Sequence, residues 1–100
     1  MQFVRSDSVV SRVIAGETLI IPVRKGVGDL ASIYSLNEVA SAIWQAIQKP
    51  RQKDEIVTVI TREFAAERQQ IERDVETFLA EMNSAGLITP VESQVMGVRA

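Results

Sequence analysis

Residue types that could do chemistry are few in this sequence. The chain has no cysteine and no histidine, which excludes disulfides, thiolate nucleophiles, imidazole bases and most ligand sets for zinc, copper and haem. Two carboxylate pairs, Glu63/Glu67 and Glu72/Glu76, have the four-residue spacing that places both groups on one helical face. Such a pair can share a metal ion, but the same spacing is typical of a solvated helix surface, which is the interpretation we favour.

Three other arrangements are candidates for ligand or nucleophile chemistry. Gly26-Val27-Gly28 begins like a phosphate-binding loop, yet it leads into a strand, so its amides gain no helix N-terminus that would bind an anion. No lysine follows a serine by three residues, which removes the Ser-x-x-Lys acyl-transfer arrangement. Tyr34 and Trp44 are predicted to face inward as core anchors. Catalysis by this chain would have to rest on carboxylates, Lys, Tyr or Ser alone, so a small enzyme that uses carboxylates stays as the third hypothesis, and we expect no metal or cofactor.

Length and composition predict one globular domain. The 100 residues, 46% of them hydrophobic and 24% charged, suffice for a single core and exclude a multidomain enzyme. The net charge of −2 disfavours nucleic acid and anionic membranes as partners. No apolar run approaches the roughly 18–20 residues that cross a bilayer, and the N-terminus lacks the pattern of a secretion signal, so we expect a cytoplasmic protein.

Two strands are predicted near the N-terminus, where the hydrophobic pattern has a period of two residues or short β-branched runs. Residues 9–14 and 18–24 read as a hairpin around the turn Ala15-Gly16-Glu17. Pro22 cannot donate to a ladder, so it is expected at an edge, a bulge or a strand end.

The third predicted strand covers residues 31–36. Because side chains alternate along a strand, Tyr34 and Leu36 share one face, and Ile33 and Ser35 share the other. If the three strands form a meander, this one has a free edge whose amides and carbonyls can pair with an incoming peptide. A helix or a second copy covering the edge is the alternative, and the second copy predicts a homodimer.

The period changes to 3.6 residues at Asn37, and three helices follow. Asn37 is a suitable N-cap, and Lys49-Pro50 ends the first helix. The second helix is predicted over residues 53–65, and the third runs from Glu67 to Gly86, where glycine adopts the left-handed conformation freely. The inward residues are, helix by helix, Val39, Ala40, Ile43, Trp44 and Ile47; Ile56, Val57, Ile60 and Phe64; and Ile71, Val75, Phe78, Leu79 and Met82.

This order of elements predicts an α+β, winged-helix-like fold, in which three N-terminal antiparallel strands are followed by a three-helix bundle. Trp44, Phe64 and Phe78 are expected in one core. Residues 1–90 are assigned to a single domain and residues 91–100 to a flexible C-terminal tail.

A winged helix raises the alternative of a DNA-binding transcriptional regulator that inserts its third helix into the major groove. Arg68, Gln69, Gln70 and Arg73, near the start of that helix, are residue types that read bases. However, residues 67–86 hold two arginines and five acidic residues, and acids in the groove would lie near phosphates. DNA binding is therefore the second hypothesis.

Six segments, in this order and spacing, resemble the family of the pyrroloquinoline quinone synthesis protein D. They are ETLIIPVR at 17–24, IYSLNEVA at 33–40, IW at 43–44, EIV at 55–57, DVETFL at 74–79 and GLI at 86–88. The similarity covers about residues 9–90. Two positions depart from the family pattern: Gln52 stands where a Thr or Ser helix cap is usual, and Glu67 where an Asp is common.

The resemblance implies a non-catalytic peptide chaperone, a recognition element for ribosomally made, modified peptides. Such domains bind the leader segment of a precursor by strand addition and present the peptide to a maturase, often a radical S-adenosylmethionine enzyme, as in pyrroloquinoline quinone biosynthesis. In the family the leader lies beside the third strand, in the groove against the third helix. Carried over to this sequence, the implied peptide-binding residues are Ser32, Ile33, Tyr34, Ser35, Leu36, Ile71, Asp74, Val75 and Phe78.

The third helix also bears on the charge of that peptide. Glu67, Asp74 and Glu81 recur every seven residues and form an acidic row beside the apolar stripe, while Glu72 and Glu76 lie on the opposite flank. If the acidic row faces the third strand, a Lys or Arg of the leader is expected against Asp74. A plain solvated face explains the same residues.

Overall fold

The structure, a computed structural model, describes residues 1–7, 9–24, 27–28 and 33–91. Ser32 and the greater part of the predicted tail, residues 92–100, lie outside these ranges. In chain order the described elements are β1 (Gln2–Arg5), β2 (Val9–Ile14), β3 (Glu17–Arg24), β4 (Val27–Gly28), β5 (Tyr34–Leu36), α1 (Glu38–Ala46), β6 (Arg51–Gln52), α2 (Lys53–Phe64), α3 (Arg68–Ser84) and β7 (Ile88–Val91).

The predicted hairpin is formed by β2 and β3. The two strands pair antiparallel over the whole of β2, and only Ala15 and Gly16 form the turn. Both residues have positive φ, 53° and 83°, as in the two-residue turns whose twist matches that of the flanking strands. Gly16 enters this region freely, whereas Ala15 does so against the preference imposed by its Cβ.

Pro22 lies in β3 where a missing amide is tolerated. On one side of β3 it stands opposite Val9, at the end of the ladder with β2. On the other side, residues 18–20 pair with β5 and residues 23–24 pair with β4, so Pro22 falls between these two paired segments. Pro22 is thus not at an end of β3, which continues to Arg24, but at the end of the β2–β3 ladder and in a gap between the two segments paired on the other side.

A second sheet, absent from the predicted fold, joins the N-terminus to the end of the helical region. β1 is its central strand and pairs antiparallel with β6 and with β7. β6 has only two residues, and β7 contains Pro90, so neither carries a strong local strand signal. Val91 therefore belongs to β7, and not to the flexible tail that was assigned to begin at this residue.

Local side-chain signals set the starts of α1 and α2. Oδ1 of Asn37 accepts a hydrogen bond of 2.9 Å from the amide of Ala40, which confirms Asn37 as the N-cap of α1. At the start of α2, the backbone amide of Gln52 donates a 2.8 Å hydrogen bond to the carboxylate of Glu55. The carboxylate three residues into the helix thus satisfies the capping residue, even though Gln52 is neither Ser nor Thr.

The end of α3 requires a glycine. Gly86 has a φ of 76°, its amide donates to the carbonyl of Asn83 at 3.1 Å, and the amide of Leu87 donates to the carbonyl of Met82 at 2.9 Å. This pair of bonds is a Schellman motif, which satisfies carbonyls left free at the end of the helix. The predicted helix end at Gly86 is confirmed, and Leu87 turns back into the core.

One hydrophobic core lies between the three helices and the sheet that contains β2, β3 and β5. Trp44 and Phe78, both predicted there, are 0% and 7% exposed, and Phe64 is partly buried against the same cluster. The fold is the expected one, in which antiparallel strands lead into three helices, and it is compatible with a winged helix. The core residues are Ile20, Leu36, Ile43, Trp44, Ile47, Ile56, Val57, Ile60, Ile71, Val75, Phe78, Leu79, Met82, Leu87 and Ile88.

Candidate functional site

β5 has one edge without a strand partner in the part of the chain that the structure describes. Its other edge pairs antiparallel with β3, and the order β2-β3-β5 is the predicted meander. The predicted facing is also confirmed, since Leu36 is buried and Tyr34 half-buried while Ile33 and Ser35 are exposed. The open edge presents backbone donors and acceptors that an extended peptide can pair with.

Next to the end of β5, α1 and α3 border an open cavity of about 290 Å³. Its apolar lining residues are Val39, Ala40, Ile43 and Phe78, and Asp74 and Glu81 add two carboxylates. The residues that line it are Asn37, Val39, Ala40, Ile43, Asp74, Thr77, Phe78 and Glu81.

A second open cavity, of about 550 Å³, lies between Tyr34 of β5 and the last turns of α3. It is lined by Tyr34, Ala80, Glu81, Met82, Ser84 and Ala85. Because Glu81 lines both cavities, they adjoin along one side of α3. We call the two cavities together the α3 groove.

The predicted site residues on α3 separate into groove and core. Asp74 and Phe78 line the α3 groove, as does Tyr34 from β5. Ile71 and Val75 are 2% and 0% exposed and line neither cavity, so the structure places them in the core. Their contact with a peptide stays a prediction.

The remaining predicted positions form the strand side of the site. Ile33 is 43% exposed just before β5, and Ser35 and Leu36 belong to β5 itself. Contact of these residues with a peptide stays a prediction.

Sequence reasoning missed Thr77, Glu81, Met82 and Ala85 as groove residues, although Glu81, three residues after Phe78, was already placed in the acidic row.

The two flanks of α3 differ in how their acids are paired. On the flank toward α2, Glu76 accepts a 2.6 Å hydrogen bond from Nζ of Lys53, and the two groups form an ion pair. That hydrogen bond, with the charge of Glu76 and of nearby Glu72, raises the pKa of Lys53. A cation therefore offsets the acids on this flank.

The groove flank has no such cation among the described residues. No Lys or Arg lines either cavity of the α3 groove. Asp74 accepts a 3.0 Å hydrogen bond from the side-chain amide of Gln70, whose oxygen accepts a 3.2 Å bond from Arg73. Arg73 thus reaches Asp74 only through Gln70, and Glu81 is exposed. The groove combines apolar walls with net negative charge.

Three of the four candidate base-reading residues, Arg68, Gln70 and Arg73, are hydrogen-bonded within the protein. The guanidinium of Arg68 donates a 3.2 Å hydrogen bond to the hydroxyl of Thr58, and Arg73 and Gln70 are engaged toward Asp74. A helix that entered the major groove would have to release these contacts and bring its acids toward phosphates. This arrangement disfavours the DNA-binding hypothesis.

In the described ranges, neither carboxylate pair belongs to a group of three or more side chains that could hold a metal ion. Glu76 is engaged by Lys53 instead. Within the same ranges, α1, α2 and α3 are each too short or too polar to span a bilayer.

Comparison with known families gives a match that includes both β5 and most of the α3 groove. Residues 19–88 match the model of the family described as coenzyme PQQ synthesis protein D, PqqD. This chain belongs to the PqqD family. The match runs from β3 to the first residue of β7, so the resemblance stated from the sequence is confirmed over 70% of the chain.

Two solved structures share the fold of this PqqD-family protein over nearly their whole lengths. TbiB1, solved in complex with the TbiA(beta) leader peptide, is 28% identical, with a TM-score of 0.73 over 90% of this chain and 99% of TbiB1. A lasso peptide synthetase B1 complexed with its leader peptide is 19% identical, with a TM-score of 0.72 over 90% of this chain and all of the other. No curated protein sequence gives a significant match.

Proposed function

We propose that this PqqD-family protein binds the leader segment of a ribosomally made precursor peptide at β5 and in the α3 groove, and presents it to a maturase. The observation that carries the proposal is the edge of β5 that pairs with no strand of the described ranges and lies beside an apolar groove. Membership of the family and the similarity to TbiB1, solved with a leader peptide, support the same function.

The mode of binding follows from the geometry of strands. A peptide added to β5 forms main-chain hydrogen bonds that do not depend on its sequence, and every second side chain then faces the domain. Tyr34 on the strand side and Phe78 on the helix side are placed to contact those side chains. Affinity then comes from the backbone bonds and the apolar contacts together. The role is one of binding and needs no reacting group from this chain.

The enzyme that receives the peptide is the finer part of this proposal. The family resemblance implies a maturase of the radical S-adenosylmethionine type, with pyrroloquinoline quinone biosynthesis as one setting. The lasso peptide synthetase B1 is only 19% identical and shares the fold alone. A mixture of this protein, precursor and candidate maturase, separated by size-exclusion chromatography, tests whether all three co-elute.

Calorimetric titration tests the peptide-binding proposal. The probes are any short peptides that sequencing of the neighbouring DNA finds encoded beside this gene, each synthesised whole, as its N-terminal half and as its C-terminal half. We expect one whole peptide and its N-terminal half to bind with similar affinity, and the C-terminal half to show no heat. Binding confined to the C-terminal half, or absent for every peptide, would contradict a leader-binding role.

Backbone methylation of the same peptide tests strand addition. In an added strand, the amides of alternate residues point to β5 and the others point to solvent. N-methylation at every second residue should therefore abolish binding in one frame and leave it nearly unchanged in the other. Equal loss or equal tolerance in both frames would contradict strand addition while leaving leader binding intact.

A homodimer through the open β5 edge is a separate proposal. The added peptide and a second copy would compete for the same backbone groups, so leader binding should dissociate any dimer. Sedimentation at high micromolar concentration, with and without peptide, decides this point.

A further inference from the structure

The charged residues of the α3 groove bear on which peptides the groove selects. The sequence left open which acidic flank of α3 faces β5. In the structure Asp74 and Glu81 line the groove, and Glu81 shares one cavity with Tyr34 of β5. Glu76 instead lies on the flank where Lys53 pairs with it.

The spacing of the two groove acids corresponds to a short stretch of extended peptide. Asp74 and Glu81 are seven residues apart on one helical face, which is about 10.5 Å along a helix that rises 1.5 Å per residue. An extended chain covers that distance in about three residues. Only alternate side chains of an extended peptide face the groove, so the two basic residues must be an even number of positions apart. We take positions i and i+4, which are a few ångströms further apart than the two acids. Long, flexible Lys or Arg side chains can bend to cover that difference.

Between the two acids lies the apolar part of the groove. Phe78 stands one turn after Asp74 and just before Glu81, and Ile43 and Val39 of α1 line the same cavity. An apolar side chain at position i+2 of the peptide would face this surface.

We infer that the α3 groove selects leader segments with the pattern basic, any, apolar, any, basic, in which Lys or Arg at positions i and i+4 faces the carboxylates of Asp74 and Glu81. This inference rests on the proposed function, because it describes what the leader-binding groove prefers. Charge complementarity supports it: the groove flank carries two acids and no lining cation among the described residues, whereas on the other flank Lys53 pairs with Glu76.

Selection from a displayed library of random twelve-residue peptides tests the inference without knowledge of the natural precursor. Three proteins serve as bait: wild type, the double variant Asp74→Lys/Glu81→Lys, and Glu72→Lys as a control. The control places a single charge reversal of the same kind on the same helix, but on the flank near Lys53. Wild type and control should enrich the same basic-flanked pattern, and the double variant should enrich acidic residues at those positions.

The outcomes of the selection distinguish failure of the charge pattern from failure of peptide binding itself. Enrichment of apolar peptides without paired basic residues, or the same peptides from wild type and double variant, overturns the charge pattern and leaves peptide binding in place. Failure of wild type to enrich any peptide counts against the groove as a peptide site, and so against the proposed function itself. Circular dichroism of all three baits establishes that they are equally folded.

Calorimetry on the best wild-type peptide supplies a second, quantitative readout. Two exposed ion pairs should together change affinity by about two- to thirty-fold. The neutral variant Asp74→Asn/Glu81→Gln should lose this factor in low salt and show a flatter dependence of affinity on salt concentration. An unchanged salt dependence in this folded variant would also overturn the inference.

Discussion

The side chain of Arg5 lies against Trp44 and joins the second sheet to α1. The guanidinium carbon of Arg5 is 4.8 Å from the centroid of the Trp44 ring, and its Nε donates a 3.0 Å hydrogen bond to the carbonyl of Trp44. The backbone amide of Arg5 also donates to the carbonyl of Ile47 at 3.1 Å. Since α1 has no basic residue in its last turn, the N-terminal strand supplies the donors that satisfy this helix end.

Replacement of Arg5 by alanine should therefore destabilise the domain. The loss of the cation–π contact and of a charged hydrogen bond predicts a decrease of about 1–3 kcal/mol in the free energy of unfolding. Urea denaturation followed by the fluorescence of Trp44 measures it. Arg12→Ala is the matched control: Arg12 is exposed and donates to the carbonyl of its neighbour Ser11, so its change should stay within about 0.5 kcal/mol. Equal effects of the two substitutions would show that the Arg5 contact contributes nothing specific.

Truncation of Trp44 should greatly lower the free energy of unfolding. Its side chain is fully buried, and Trp44→Ala is expected to cost about 3–5 kcal/mol. Trp44→Phe should cost much less, because an aromatic ring is kept and the buried indole nitrogen has no hydrogen-bond partner in the described part of the chain. Thermal denaturation by circular dichroism compares the two. A Phe variant as unstable as the Ala variant would contradict this account.

The hairpin turn offers a stabilising substitution. Ala15 has a φ of 53°, and Asn tolerates this left-handed region better than Ala and is favoured before Gly in two-residue turns. Ala15→Asn should therefore raise the free energy of unfolding by roughly 0.5–1 kcal/mol. The opposing variant is Gly16→Ala, where no atom lies within 4 Å of an added Cβ, so that only backbone strain, about 1 kcal/mol, should destabilise it. Chemical denaturation that ranks the two variants in the reverse order would exclude this turn geometry.

The edge of β5 can be tested from the protein side with a proline. Ile33 is exposed and directly precedes β5, so Ile33→Pro should disturb the strand on which the leader is templated and weaken peptide binding strongly. Ile33→Ala keeps the backbone amide and removes only the side chain, so it should weaken binding much less than Ile33→Pro does. Calorimetry with the leader peptide measures both, after circular dichroism has established that the variants fold. Unchanged affinity in a folded Ile33→Pro variant would count against the edge-strand mode.

Much of the fold could be predicted because its signals are local. Asn37 caps α1 through an amide three residues away, Gly86 ends α3 through bonds that span a few residues, and the hairpin closes over two residues. The apolar stripes also predicted the core, since helical periodicity states which side chains must be covered. For the site, the same patterns indicated the open strand edge, Tyr34, Asp74 and Phe78.

The sequence by itself thus determined the hairpin, the third predicted strand, the three helices with their buried faces, and the family resemblance, but the second sheet and the assembly of the site depended on contacts between distant segments. β1 pairs with β7, which lies more than 80 residues further along the chain, and no local pattern encodes such a partner. Periodicity showed that α3 has two acidic flanks, whereas its packing against α2, β7 and α1 left Asp74 and Glu81 in the groove and Glu76 beside Lys53. The same packing buried Ile71 and Val75 beneath the groove. A helix fixes the angle between its own side chains, but only its neighbours decide which of them reach solvent.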